Sequence, residues 1–457
     1  MGVEAPATSD GAAAASGRSL THTIIGWAIA LLLWVLVLAS IAAFATMLKK
    51  FDRATREDFS VYYLEGQELR HGVDPYTTNF MSAARAQGLT THDIGHGSDP
   101  PTFVAFLIEP LTLLPIRTAY WIWQAANLLC LAAALALLIG PQVGFSSPFA
   151  AAFALLTIFY PPVPSHFLFG QSKLPVLLLL VLTMRLLERK RERLAGLALA
   201  MAVLLRFFPL VMTGYLILQR RWRALAYAIL GIVVGAILTI AASGLSNCAS
   251  FFVSASGLVN DSVAGINRDI SLYFFVSRNL AALSQRVGLH LESVRLAIVY
   301  TIDLAVVAAT TRATLAFRPN GDPGSRLFSL WVATSIFLLP VAWDYDLTLM
   351  LIPFALIALA AARGKASRRT IATVIISYAV LVWWEFVSQS ANEGGFYSMV
   401  AAYLAAYWFA TDQPEYKAGA IWLLPVQLWR RIASPAWVSA APLADSLARK
   451  PQPQPVP

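Results

Sequence analysis

Apolar runs long enough to form helices in a membrane recur along most of the chain, and this pattern restricts the fold more than any other feature. The runs lie near residues 23–48, 102–116, 118–140, 146–160, 172–187, 194–218, 224–244, 291–316, 326–341, 347–362, 370–388 and 397–410. Several are shorter than the roughly 20 residues that a helix needs to cross the hydrocarbon core. Since only helices and closed barrels satisfy the backbone in lipid, the runs predict an all-α polytopic membrane protein with about 10–13 transmembrane helices.

The composition supports a membrane protein and argues against nucleic-acid binding. Of the 457 residues, 58% are hydrophobic and only 13% are charged, which is far from the average of soluble domains. The net charge of +9 comes from Lys and Arg in short clusters between apolar runs, as in the cytoplasmic loops of membrane proteins. We therefore expect membrane lipids, and no nucleic acid, as partners. Cys130 and Cys248 give no metal-ligand spacing and no disulfide framework.

The two ends of the chain differ from its apolar middle. Residues 1–20 are rich in Ala, Ser and Gly without an apolar period, which predicts a disordered cytoplasmic tail. The run that follows is too long for a signal peptide and lacks a small-residue cleavage site, and Arg18 favours a cytoplasmic N-terminus. Residues 412–457 predict an interfacial helix and a Pro-rich cytoplasmic tail. The domain between them, residues 21–411, is expected to carry the function.

Basic clusters on both sides of the 194–218 run conflict with a single membrane crossing. Five Lys or Arg side chains precede it between residues 185 and 193, and three follow between 220 and 223. The positive-inside rule therefore places both ends in the cytoplasm. Arg206 and Pro209 interrupt the run at its centre, where Pro removes a backbone donor and Arg requires a polar cavity. The segment is either two half-helices that meet near Arg206 or one kinked helix that violates the charge rule.

The first polar loop, residues 49–101, is long and rich in carboxylates and aromatic residues, which is typical of a functional loop. With a cytoplasmic N-terminus it lies on the periplasmic side. Residues 59–70 predict a short amphipathic helix on the membrane surface, with its aromatic side chains toward lipid or protein. Asp58 lies at or before the first turn, where its carboxylate either caps the helix or takes part in catalysis.

Several short motifs follow one another along the chain in a particular order and spacing. They are Asp58 with Tyr62, then Gly72…Pro75-Tyr76, Pro100-Pro101, Gly170-Gln171, Arg206…Pro209 before the basic stretch 219–223, the loop 265–272 and the segment 339–343. Together they are similar to glycosyltransferase family 87, the polyprenol-phosphate-mannose-dependent mannosyltransferases of the GT-C class. The resemblance covers roughly residues 22–410 and implies a GT-C-like helical bundle.

Three positions depart from the family pattern. Asp344-Tyr345-Asp346 stands where many relatives carry a His pair, Arg206 replaces a Lys, and Gln171 is followed by Ser172-Lys173 where an Asn-containing continuation is usual. Arg206 keeps a cation that grips phosphate oxygens in bidentate fashion. An ionised Asp cannot donate a hydrogen bond as imidazole does, so the first departure bears on which sugar or acceptor is handled.

The resemblance implies an inverting transfer of a hexose, mannose in the family, from a polyprenyl-phosphate donor to a lipid or lipid-linked glycan. The active site would face the periplasm from a bacterial cytoplasmic membrane. Such chemistry requires a general base and cations that hold the departing phosphate. The implied site residues are Asp58 as the base, Arg206, Arg268 and Lys173 as phosphate partners, and Gln171, Tyr62, Asp344 and Asp346 as further substrate contacts.

Each of these roles has a simpler alternative. The three cations are otherwise topology or interface charges, and the two late aspartates either line the sugar or acceptor cavity or mark a short loop. No cofactor is expected, since the chain has no Gly-rich phosphate loop. His71, His92 and His96 of the first loop give no metal-ligand spacing, so no metal is predicted, and a loosely held divalent ion near Asp58 is left open.

Two other classes of function also remain open. A lipid or sugar transporter or flippase has many helices, broken segments and buried charges, but its acidic groups are expected near the membrane midplane. A catalytically inactive membrane scaffold would keep the fold and lose the base or the phosphate cations. The position of Asp58 in an outer loop favours the transferase over the transporter.

Overall fold

The computed structural model describes residues 10–50, 52, 58–74, 76, 80–86, 101–261, 269–288, 291–316, 324–387 and 391–412. Within these ranges every regular element is a helix, and there is no β-strand. The predicted all-α class is therefore confirmed. Residues 413–457, which include most of the predicted interfacial helix and tail, lie outside the described residues, and so does Arg268.

The described ranges contain eighteen α-helices. They are α1 (Asp10–Lys50), α2 (Asp58–Arg70), α3 (Phe80–Ala86), α4 (Thr102–Ile108), α5 (Ile116–Val143), α6 (Pro148–Ile158), α7 (Pro162–Phe169), α8 (Lys173–Glu188), α9 (Glu192–Leu205), α10 (Met212–Leu218), α11 (Trp222–Ser243), α12 (Leu245–Asp261), α13 (Leu272–Val287), α14 (Arg295–Ala316), α15 (Ser325–Phe337), α16 (Leu351–Ala362), α17 (Arg368–Val387) and α18 (Ala391–Thr411). Short 3₁₀ helices occupy Glu109–Leu113, Phe208–Val211, Leu291–Val294 and Asp344–Met350.

α1 begins at Asp10, inside the stretch predicted to be a disordered tail. Residues 12–15 are four consecutive alanines, and Ala has the highest intrinsic helix propensity. The helix of the apolar run therefore extends toward the N-terminus beyond the run itself.

Five helices among the described residues are long and apolar enough to cross a membrane. They are Ile24–Lys50, Ile116–Val143, Trp222–Ser243, Arg295–Ala316 and Asp344–Ala362. α6 and α7 form a sixth candidate as a pair bent by 56°. Fewer elements meet this test than the ten to thirteen predicted from the sequence, because several apolar runs form shorter helices, such as the 13 residues of α15. The structure thus supports five or six candidate spans.

Burial separates the helices that face lipid from those at the centre of the bundle. α15 and α16 are buried along nearly their whole length. The long spans α1, α11 and α14 instead expose large apolar side chains, including Leu31, Ile237 and Leu304, each more than half exposed. Apolar surface of this extent requires lipid around it. The long spans therefore form the lipid-facing side of the bundle.

The 194–218 run folds as two half-helices with a break at Arg206. α9 ends at Leu205, Arg206 has an extended backbone, and the chain then returns through Phe208–Val211 and α10. The positions of α9 and α11 show this return, because the two helices begin side by side and run parallel. Arg221 at the start of α11 pairs with Glu192 at 3.0 Å, and Leu204 packs on Gly235. Both basic clusters thus lie at one end of the bundle, as the half-helix hypothesis predicts.

Candidate active site

α2 packs inside the bundle and carries Asp58 as its first residue. Phe59, on this helix, is buried, and its ring lies 5.5 Å from that of Tyr120 and 6.5 Å from that of Trp123, centroid to centroid. The helix predicted for residues 59–70 is therefore present, and its aromatic side chains face protein. Because α2 is held by these rings, Asp58 has a defined position in the fold.

The turn before Gln171 requires glycine and lies directly against α2. Gly170 ends α7 in the left-handed conformation, with φ +70°. A Cβ added there would come within 2.7 Å of the Phe59 Cβ. The indole N–H of Trp123 also donates to the Gly170 carbonyl at 2.8 Å. These contacts place Gln171 beside the start of α2.

A hydrogen-bonded network joins a carboxylate to a guanidinium through Gln171. Its Nε2 donates to Asp58 Oδ2, and its Oε1 accepts from the Tyr62 hydroxyl at 2.7 Å. Arg206 Nη2 donates to the same Oε1 at 2.8 Å and to the Tyr62 oxygen at 2.7 Å. Asp58 is partly exposed, and the other three side chains are buried. Four of the residues predicted for the site therefore lie together.

Arg206 reaches this network because α9 ends one residue before it. Its backbone is extended, with φ −153° and ψ 133°, and it is only 8% exposed. Nε donates to Ser172 Oγ at 3.1 Å, in addition to the contacts made by Nη2. A guanidinium at this burial is stable only when polar partners replace its water. The helix break is thus the feature that brings a cation to the carboxylate of α2.

A buried ion pair lies next to this network. Lys173, the first residue of α8, pairs through its ammonium with Asp346, and both side chains are almost fully buried. The ammonium also lies 5.5 Å from the centre of the Phe208 ring and 5.6 Å from that of Tyr345. Asp346 Oδ2 accepts from the backbone N–H of Trp343 at 2.9 Å. The charge of Lys173 is therefore matched inside the protein.

His166 is a site residue that the sequence analysis missed. Its Nε2 accepts from the backbone N–H groups of Lys173 at 3.0 Å and Leu174 at 3.2 Å. The buried imidazole thereby satisfies two donors at the start of α8, which every helix N-terminus leaves without an intrahelical partner. The only signal in the sequence is a lone His within an apolar stretch, and such a residue is more often part of the core.

Asp269 ties together the two segments that carry the late motifs. Its Oδ1 accepts from the backbone N–H of Ser271 at 2.8 Å and of Ala342 at 3.1 Å, while Ile270 N–H donates to the Ala342 carbonyl at 2.7 Å. The pKa of Asp269 is raised to about 6, chiefly because the side chain is buried and to a smaller extent by the neighbouring Asp346, against the lowering effect of the backbone donors. The loop before α13 is therefore fixed beside Asp344–Met350.

Two of the predicted site residues, Asp344 and Arg268, are not part of the contacts described above. Asp344 begins the 3₁₀ helix that carries Asp346 and is half-buried. Arg268 lies outside the described residues and directly precedes Asp269. In the part of the chain that the structure describes, no group of three or more His, Cys, Asp or Glu side chains is arranged to hold a metal ion.

A comparison with known families identifies the family of the chain. Residues 100–341, more than half of the chain, match glycosyltransferase family 87. The chain belongs to glycosyltransferase family 87. This family 87 protein is therefore a membrane glycosyltransferase, and its candidate spans make it a multi-pass membrane protein. Comparison with curated proteins gives no match.

The family 87 match is narrower than the motif resemblance over residues 22–410. It includes Gln171, Lys173 and Arg206, and it ends shortly before Asp344. Asp58 and α2 precede it. The hydrogen bond from Gln171 to Asp58 thus connects the matched region of this glycosyltransferase to a loop outside it.

Proposed function

We propose that this family 87 enzyme transfers a hexose, mannose by family resemblance, from a polyprenyl-phosphate donor to a hydroxyl of a lipid or lipid-linked glycan. The observation that carries the proposal is the network in which Gln171 joins Asp58 to Arg206. It brings a carboxylate and a guanidinium into one site, which are the two charges that such a transfer requires.

In the proposed reaction the acceptor oxygen forms a bond to the anomeric carbon while the bond from that carbon to the phosphate oxygen breaks. Asp58 accepts the proton of the attacking hydroxyl. Arg206 holds the departing phosphate, since its planar fork matches phosphate oxygens. Attack from the side opposite the phosphate inverts the anomeric configuration. Gln171 keeps the carboxylate and the guanidinium in a fixed relation because its amide bonds to both.

The Lys173–Asp346 pair has a positioning role in this proposal. Asp346 matches the charge of Lys173, so Arg206 is the cation assigned to the phosphate. The pair anchors the start of α8, and Ser172, one residue earlier, accepts a hydrogen bond from Arg206. Because Ser172 directly precedes the anchored Lys173, the ion pair also fixes the hydroxyl that accepts from the Arg206 guanidinium.

An apolar groove supports a donor that is carried on a lipid. It has a volume of about 600 Å³ and runs between α1, α5 and the bent α6–α7 pair. Its lining is almost wholly apolar and includes Phe44, Leu128 and Phe167. Gln124, also in the lining, donates to the Phe167 carbonyl at 2.6 Å, three residues from Gly170. A polyprenyl chain in this groove would place its phosphate near the turn that carries Gln171.

The distribution of charge along α8 and α9 supports a periplasmic active site. Both helices have one end at the site, at Lys173 and Arg206, and the other end at the basic clusters. α8 has 16 residues and is therefore about 24 Å long. The basic end is expected on the cytoplasmic side. The site is then near the opposite, periplasmic face.

The test compares transfer by the wild type with transfer by Asp58→Asn, both purified and placed in nanodiscs. The substrate is radiolabelled polyprenyl-phosphate mannose with total membrane lipid as acceptor. Asn keeps an oxygen that accepts from Gln171 but cannot take a proton, so we expect transfer to fall by about 10²- to 10⁴-fold. The matched control is Glu68→Gln on the same helix, which should leave transfer unchanged.

Two results would overturn the proposal in different ways. Full transfer by Asp58→Asn would mean that Asp58 is only part of the structure and that the base lies elsewhere. If the wild type transfers no sugar from any polyprenyl-phosphate donor, the lipid-linked donor itself is wrong. Thermal unfolding of each variant shows whether a loss of transfer comes from a loss of folded protein.

A further inference from the structure

A basic cavity lies at the end of the bundle opposite the candidate active site. Its volume is about 730 Å³, and it is formed where the turns before α9 and α11 come together. We call it the basic cavity and define it by its lining residues, which are Lys190, Arg191, Glu192, Arg193, Leu194, Arg220, Arg221, Trp222 and Arg223.

The lining carries a large excess of positive charge. It contains six Lys or Arg side chains and a single carboxylate, Glu192, which pairs with Arg221 at 3.0 Å. Arg193 lies over the Tyr227 ring at 5.7 Å. Arg191 and Arg223 are exposed. Cations held this close together repel one another, so an anion between them would be bound favourably.

The two turns hold their cations in the same way. Lys190 and Arg220 both have a positive φ, 58° and 54° respectively, which is uncommon for residues other than glycine. In each turn the next residue donates from its backbone to a carbonyl five positions earlier, Arg191 to Leu186 and Arg221 to Leu216, both at 2.8 Å. The backbone of the cavity is therefore fixed by hydrogen bonds on both sides.

The surroundings of the cavity indicate a lipid rather than a soluble anion. Trp222 and Leu194 in its lining are 58% and 50% exposed. One to three turns further along α9 and α11, the apolar side chains of Leu197, Ile229 and Val233 are exposed as well. Cations followed by an exposed Trp and then by apolar surface are typical of a membrane interface. A headgroup in the cavity would have its acyl chains along these helices.

We propose that the basic cavity binds the phosphate headgroup of an anionic membrane phospholipid. The site is separate from the candidate active site, because α8 and α9 lie between them. It does not depend on the proposed transfer reaction. The ligand class follows from the chemistry of the lining, in which Arg and Lys donate charge-assisted hydrogen bonds to phosphate oxygens.

The test is native mass spectrometry of the purified full-length protein with phosphatidylglycerol or phosphatidylcholine of the same acyl chains. The wild type should retain phosphatidylglycerol in preference. The double variant Arg191→Gln/Arg223→Gln should lose about 25-fold in affinity for it, since each cation near an anionic headgroup contributes roughly a factor of five. Both residues are exposed, so their replacement should not unfold the protein.

A matched control uses two exposed cations at the same end that do not line the cavity, Lys365→Gln/Arg368→Gln. The loop that carries Lys365 and leads into Arg368 also lies at the basic end of the bundle. Arg363, in the same loop, donates to Gln142 in the last turn of α5. Arg185, near the basic end of α8, donates to the Leu137 carbonyl, which is also near the end of α5. An equal loss of affinity for phosphatidylglycerol in this control would overturn the proposal, since any surface cation at this end would then bind the lipid as well as the cavity does. Equal retention of the two lipids by the wild type would also overturn it, because that result is expected if the cations only set the orientation of the protein in the membrane.

A third arm separates the lipid from a soluble anion. Inorganic phosphate and pyrophosphate are titrated into the wild type, and retained phosphatidylglycerol is measured. We expect the lipid to remain bound at millimolar phosphate. If phosphate is bound while phosphatidylglycerol shows no preference over phosphatidylcholine, the cavity is a site for a soluble anion and the lipid proposal is wrong.

Discussion

Arg206 and Arg223 show how differently the two ends of the bundle hold positive charge. Arg206, at the site end, is 8% exposed and donates to three polar side chains. Arg223, at the basic end, is exposed and lines an open cavity. A buried cation is stable only with its partners in place, whereas an exposed one keeps its water. Charge at the site end therefore maintains the fold and the hydrogen-bonded network together, and charge at the basic end is available to a ligand.

Replacement of Arg206 is expected to have the largest effect, because it removes a cation and leaves its partners buried. In Arg206→Ala, Ser172 Oγ and the Tyr62 oxygen lose this donor, while Gln171 Oε1 still accepts from the Tyr62 hydroxyl. Each hydrogen bond from a charged donor that is lost at a buried group costs about 1–3 kcal/mol. Loss of a donor to the developing charge slows a reaction by about 10²- to 10³-fold. We expect transfer to fall at least that far and thermal unfolding to occur at a lower temperature.

Two further variants sharpen this comparison. Arg206→Lys keeps the charge but lacks the planar fork of the guanidinium. Compared with Arg206→Ala, it should restore the unfolding temperature more fully than the rate of sugar transfer. Arg368→Ala removes an exposed cation at the basic end, and we expect a change within about 0.5 kcal/mol in unfolding and unchanged transfer. Sugar transfer and thermal unfolding in nanodiscs measure both quantities. Similar losses for Arg206→Ala and Arg368→Ala would contradict the distinction between the two ends.

The buried Lys173–Asp346 pair gives the next largest effect. Lys173→Met leaves an unpaired carboxylate, and Asp346→Asn leaves an unpaired ammonium, so each should destabilise the protein by about 3–5 kcal/mol. The double variant buries no unpaired charge. We therefore expect it to be more stable than either single variant, with a large coupling energy in a double-mutant cycle measured by unfolding. Additive losses would show that the two charges do not depend on each other.

The parts of this site that depend on local pattern could be predicted from the sequence. Basic residues on both sides of an apolar run and a Pro at its centre act over a few residues, so they were enough to predict an interruption near Arg206, either as two half-helices or as a kink. The structure decides for the half-helices. The helix that follows Asp58 was predicted in the same way, from the spacing of its aromatic residues. Short motifs in a family order added Gln171 and Tyr62, which no local rule would have selected.

The contacts between distant segments could not be predicted. Asp269 and Ala342 are 73 residues apart, and nothing in either segment indicates the other. The pairing of Lys173 with Asp346, which lies in a different helix, is another contact of this kind. Hydropathy also gives no indication of which apolar runs form helices shorter than a full membrane crossing. Each of these features arises from packing of the whole bundle.

Among the residues at the site end, substitution of Asp269 is expected to have the smallest effect on the free energy of unfolding. It tests a different way in which the site end holds a charged group. Asp346 is paired with a cation, whereas Asp269 is held by two backbone N–H groups and stands near another carboxylate. Its pKa rises from the ordinary value of 3.8 to about 6 because the side chain is buried. The folded protein therefore binds this proton more tightly than the unfolded chain does. The resulting stabilisation is present below about pH 4 and is lost as the pH rises to about 6.

Asp269→Asn keeps an oxygen that accepts from Ser271 and Ala342 but cannot titrate. We expect the decrease in unfolding free energy between about pH 4 and pH 6 to become shallower in this variant, while Glu68→Gln, a carboxylate on α2, leaves it unchanged. Thermal unfolding in nanodiscs at several pH values measures the slope. An unchanged slope would mean that Asp269 stays ionised in the folded protein. The site end would then hold a buried carboxylate by backbone hydrogen bonds alone, and its neutralisation by a proton would be ruled out.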